Sequence, residues 1–136
     1  MASSKSEIFR ASLRRCLTDN AFLRAFYELF MASSPEVREK FKDTDFPRQA
    51  RVLADSLYLM AAASESKENA IAWKELDRLG EAHSRQGLDV RPDLYAGWLE
   101  CLVGAARQYD AEFSPEIEEA WRTSLAPGIE RLRSRY

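Results

Sequence analysis

Apolar residues recur along this chain at three- and four-residue spacing, in segments separated by short polar breaks, the pattern of amphipathic helices that share one core. Ser4 with Glu7 three positions on forms a capping box that opens a helix carrying Ile8, Leu13 and Leu17, and Thr18-Asp19-Asn20 breaks it. A second helix, over 21–32, brings together Phe22, Phe26, Leu29 and Phe30. Ser34-Pro35-Glu36 is a cap followed by proline at the first helical position, so a short helix is expected to end near Phe41, with a connection over 42–46. From Pro47 to about Ala63, Leu53, Leu57 and Met60 mark a single apolar stripe, and Arg51 and Asp55 lie off it.

After a polar loop over 64–69, the spacing predicts a helix over 70–86 with Trp73, Leu76, Leu79 and His83 on one face. Successive steps of three, three and four residues stay on one side of a helix with 3.6 residues per turn. Gly87 is its expected stop. Arg91-Pro92-Asp93 then begins a helix through Tyr95, Trp98, Leu99, Leu102 and Ala106 to about Tyr109. Ser114-Pro115-Glu116 caps a last helix through Ile117, Trp121 and Leu125, which Pro127-Gly128 should kink or interrupt before Ile129 and Leu132 resume.

Composition agrees with an all-α fold: Leu 15 and Ala 19 stand against only 11 Val, Ile and Thr residues. Few glycines and prolines imply few, short turns, and the 136 residues are expected to form a single domain, 1–136. A net charge of −2 without a basic tract argues against nucleic acid and anionic lipid as partners. The longest uncharged run, Ser56 to Ser64, falls far short of the ~20 residues a membrane span requires. Met1 to Ser6 leads into no apolar signal core, so a cytoplasmic location is expected. Cys16 and Cys101 have neither CxxC spacing nor neighbouring histidines, and read as small buried hydrophobes.

One residue does not fit a plain helical core. His83 is the chain's single histidine, and periodicity places it on the inward stripe. An imidazole buried without partners costs roughly 1–3 kcal/mol, so it must hydrogen-bond, stay partly exposed or coordinate something. A core-facing histidine most often bonds a backbone carbonyl. An ordinary zinc site is excluded, because no cysteine or second histidine can join it. A prosthetic group that brings its own equatorial ligands needs only one protein ligand, and haem with a proximal histidine is such a group.

The residues around His83 resemble those of the globin family. Leu79 and His83 lie one turn apart, Gly87 follows, and Val90-Arg91-Pro92-Asp93-Leu94-Tyr95 looks like the junction into the next globin helix. Upstream, Phe26-Tyr27, Pro35-Glu36-Val37-Arg38, Phe41, and Gln49 followed by Leu53 are similar in order and spacing to bacterial single-domain haemoglobins and the haem domain of flavohaemoglobins. Ala120-Trp121 fits their last helix, and the likeness spans about Phe22 to Leu132.

That resemblance implies a globin fold around a haem pocket, with His83 as proximal iron ligand and Phe41 stacked on the porphyrin. It implies Gln49, Leu53 and Tyr27 on the distal side, and Leu79, Val90 and Tyr95 lining the remainder. Tyr95 would be the tyrosine through which flavohaemoglobin-like globins polarise their histidine, but counting forward from Trp121 to the accompanying glutamate reaches Tyr136, with Glu130 the nearest substitute. The connection from Phe41 to Gln49 is shorter than in those relatives, and that from His83 to Val90 longer. The implied function is reversible binding of oxygen or another diatomic gas, NO or CO, at five-coordinate iron, with no catalytic residues. The alternatives are NO dioxygenation with a separate reductase, since no GxGxxG turn is present, or gas sensing. Arg48 or Arg51 would pair with the haem propionates, and monomer and homodimer both remain open.

Overall fold

The computed structural model describes residues 4–136. The first three residues of the Met1–Ser6 segment therefore lie outside it. Seven α-helices make up the regular structure of the described residues: α1 (Lys5–Leu17), α2 (Ala21–Ser33), α3 (Pro35–Lys40), α4 (Phe46–Glu65), α5 (Ala70–Ala82), α6 (Leu94–Tyr109) and α7 (Pro115–Ser134). The starts follow local chemistry. Side chains of Ser4, Ser34 and Ser114 accept hydrogen bonds from the amides of Glu7, Glu36 and Ile117, as the capping patterns predict, and Asp45 and Asn69 do the same for α4 and α5.

Helix α7 organises the rest, packing against α1, α4, α5 and α6, while α2 lies along α6. Its Trp121 is fully buried, edge-on to Phe9 with ring centroids 4.8 Å apart and near Phe22 at 6.2 Å. Such aromatic pairs contribute about 0.5–1.5 kcal/mol beyond area burial. Beneath them lies a polar knot. Trp121 Nε1 donates to Ser12 Oγ at 2.8 Å, Ser12 Oγ donates to Asp110 Oδ2 at 2.6 Å, and Arg15 grips both Asp110 oxygens at 2.6 and 3.0 Å. Three distant segments, α1, the end of α6 and α7, are thereby joined through a carboxylate that is almost wholly buried.

Several expectations are corrected here. The buried stripe of α1 is Phe9, Leu13 and Cys16, with Ile8 and Leu17 only partly covered, because α7 meets the helix slightly to one side of the face the spacing suggested. Leu29 is exposed on α2. Helix α7 runs through Pro127 as one element, and Gly128 there comes so close to α4 that a Cβ would fall 2.6 Å from Met60 Cγ. Helix α5 stops at Ala82, not Gln86, with His83 as its C-cap. The chain then folds back: the amides of Leu88 and Val90 bond the carbonyls of Ala82 and His83, satisfying helix-end groups that a glycine cap would otherwise serve. Gly87 is needed for another reason, since a Cβ there would lie 2.3 Å from the Ala82 carbonyl oxygen. The left-handed residue of this turn is Asp89, at φ 53°.

Candidate functional site

A cavity of about 550 Å³ opens between α2, α3, α4, α5 and α6 and the end of α7. Protein interiors are otherwise packed as densely as organic crystals, with few voids larger than a water molecule, so a space of this size lined by apolar side chains has the character of a ligand pocket. The helical stripes explain it. Leu79, Leu94 and Trp98 on their helices, and Val90 in the loop before α6, are only partly buried because each also borders the cavity.

All eight residues singled out in the sequence, His83, Phe41, Gln49, Leu53, Tyr27, Leu79, Val90 and Tyr95, line this one cavity. His83 sits at the end of α5, and its Nδ1 lies 2.8 Å from the Leu79 carbonyl oxygen. A carbonyl oxygen can only accept, so in the neutral ring Nδ1 carries the proton and Nε2 keeps its lone pair. Nε2 has no hydrogen-bond partner among the described residues. No group of three or more His, Cys, Asp or Glu side chains there is placed to hold a metal ion. His83 therefore suits a metal that brings its other ligands with it.

Helix α2, the C-cap of α3 and the start of α4 supply an aromatic cluster. The Tyr27 ring lies edge-on to Phe41 and Phe46, at centroid distances of 5.5 and 5.4 Å, and Phe41 stacks near Phe46 at 6.3 Å. Burial pushes the Tyr27 hydroxyl up to about 12, so it is a hydrogen-bond donor at neutral pH. That hydroxyl donates to the backbone carbonyl of Gln49 over a long 3.4 Å. The Gln49 side-chain amide, also on the cavity wall, makes no hydrogen bond among the described residues.

Tyr95 is buried, and desolvation likewise pushes its hydroxyl up to about 12. It makes no hydrogen bond to His83, whose Nδ1 is taken by Leu79, and Glu130 is exposed on α7. The tyrosine–glutamate arrangement implied by the resemblance is thus replaced by a backbone acceptor. Arg48 and Arg51 are exposed and border no part of the cavity, because their stripe of α4 faces away from Leu53. Sequence reasoning missed Lys40, Thr44, Val52, Leu88 and Leu132 on the wall. Leu132 was on a recognised stripe and Val52 lies within α4 beside the stripe that Leu53 marks, but Lys40, Thr44 and Leu88 belong to a helix end or a loop, where periodicity carries no information.

A cavity between helices, walled by aromatic and aliphatic side chains and lined by one imidazole with an unbonded nitrogen, defines an all-helical protein with an apolar ligand pocket. Residues 23–127 match the family described as Globin. The chain belongs to the globin family. Its fold is also similar, with a TM-score of 0.90, to a crystal structure from Pseudomonas aeruginosa PAO1 described as structurally highly homologous to a human hemoglobin. The two chains are 32% identical, and the match covers 98% of each. No curated protein matches the chain in sequence. Membership of the family implies haem, and the residues fit it: the lone pair on Nε2, the flanking Phe41 and the apolar walls are what an iron porphyrin requires.

Proposed function

We propose that this globin holds haem in the cavity through His83 and takes up a diatomic gas there, oxygen foremost. The observation that carries this reading is the bond from His83 Nδ1 to the Leu79 carbonyl. It fixes both the tautomer and the plane of the ring, and makes Nε2 a better electron donor. When bound, ferrous haem supplies one open coordination position for oxygen, NO or CO.

The other residues set the environment of that position. Leu53, Phe41 and Val90 keep water out and lower the local dielectric, which strengthens any hydrogen bond made inside. Tyr27 stays protonated, and its long bond to Gln49 is weak enough to be exchanged for a better acceptor. The Gln49 amide offers a second donor. Donors of this kind favour a ligand that draws negative charge onto itself, as oxygen does, over the less polarised CO, by very roughly 1–2 kcal/mol each.

The test is a hemin titration followed in the visible region for the ferric, ferrous and CO-treated protein, alongside a His83→Ala variant. A Soret band that moves on titration, and is altered in the variant, is the expected result. Protein that stays colourless, or a variant spectrum identical to the parent, would overturn the reading.

A further inference from the structure

The mouth of the cavity is chemically lopsided. Val52 and Leu88, both on its lining, are 45% and 62% exposed, among the most exposed large apolar side chains of the described residues. Between such surfaces stands Lys40, the last residue of α3 and the only Lys, Arg, Asp or Glu on the cavity wall. An apolar rim with a single cation matches a ligand that has an apolar body and a carboxylate edge.

Lys40 Nζ donates to the backbone carbonyl of Leu88 at 3.1 Å, across the opening from α3 to the loop between α5 and α6. It has no carboxylate partner among the described residues, whereas its neighbours are engaged: Glu36 holds Arg91 at 2.7 Å, and Glu39 holds Lys42. A neutral carbonyl is a weaker partner for an ammonium than a carboxylate is.

We infer that Lys40 is the specificity residue for the carboxylate edge of the cavity's ligand, exchanging the Leu88 carbonyl for that carboxylate when the ligand enters. The inference rests on the haem reading for its natural ligand, but the chemistry needs no iron and can be separated from it. Lys40 selects for acid over ester at the mouth, and the exchange frees the Leu88 carbonyl, loosening the loop that follows His83.

The test uses metal-free protoporphyrin IX and its dimethyl ester, with binding followed by porphyrin fluorescence, on the parent chain and on Lys40→Met, Lys40→Arg, Arg48→Met and Arg51→Met. Lys40→Met should weaken binding of the diacid roughly threefold to tenfold and leave the ester unchanged. Lys40→Arg should keep most of the preference, and the Arg48 and Arg51 variants should behave like the parent. Added salt should weaken diacid binding to the parent more than to Lys40→Met. Amide hydrogen exchange over residues 84–90 should rise when the diacid binds and not when the ester does. Equal loss for diacid and ester in Lys40→Met, or no loss, would overturn the assignment, as would failure of the parent to bind either porphyrin. Selective loss with the diacid, combined with hemin spectra indifferent to His83→Ala, would uphold Lys40 while removing iron ligation by His83.

Discussion

The Tyr27 hydroxyl and the Gln49 backbone carbonyl, brought together from α2 and the first turn of α4, stand 3.4 Å apart at the cavity wall. At that length the bond contributes little to stability, so Tyr27→Phe should change unfolding free energy by less than about 1 kcal/mol. Its effect should appear in ligand kinetics instead. In the haem-reconstituted ferrous protein, oxygen should leave roughly tenfold faster and CO at nearly the parent rate. Stopped-flow replacement of oxygen by CO measures this, and an unchanged oxygen rate removes Tyr27 from the ligand's surroundings.

His83→Gly should empty the end of α5 without disturbing the core, because the side chain is only partly buried and its partner is a backbone carbonyl. Imidazole added to this variant should restore the parent spectrum with hemin, since it returns the ring that the substitution removes, with its unbonded nitrogen. Recovery without imidazole would show that another residue takes the iron.

Asp110 ties folding stability to pH. Burial works against its ionisation, but the Arg15 guanidinium, the Ser12 hydroxyl and the Glu112 amide outweigh that and hold the carboxyl below its ordinary 3.8. A carboxyl depressed in the folded state contributes stability above its unfolded value, and that contribution disappears as pH falls through the folded one. Asp110→Asn should therefore cost about 2–3 kcal/mol at pH 7, leaving Arg15 with a neutral partner. The gap between variant and parent should shrink below pH 3.8, as urea unfolding across pH 2–7 would record.

Two glycines give opposite expectations for the same substitution. Gly97→Ala meets nothing within 4 Å on α6 and should stabilise the protein by about 0.5–1 kcal/mol through helix propensity. Gly87→Ala would drive a Cβ to 2.3 Å from the Ala82 carbonyl oxygen, a backbone atom that a rotamer change cannot move. The turn after His83 must shift to accept it, so thermal stability should drop and hemin should be held less tightly.

Much of the architecture was legible without coordinates. The serine caps of α1, α3 and α7 and the stripe of Leu53, Leu57 and Met60 appear where the pattern puts them. The eight residues that the resemblance singled out all line one cavity. Misreadings cluster where a nonlocal neighbour decides. Spacing could not distinguish Phe9 from Ile8 as the buried face of α1, since the choice depends on where α7 lies. Arg48 and Arg51 had a charge suited to the propionates but a helix face directed elsewhere, whereas Lys40 reaches the opening from the end of a six-residue helix.

By itself the sequence determined the run of helices, the serine caps of α1, α3 and α7 and the face that carries His83, because periodicity and capping act within a turn or two of the chain. Only the tertiary structure decided that α5 ends at Ala82, that Leu79 and not Tyr95 holds the imidazole, and that Asp110 is buried beneath Trp121. Those outcomes depend on segments far apart in sequence competing for the same space and the same hydrogen-bonding groups, a competition settled only when the helices pack.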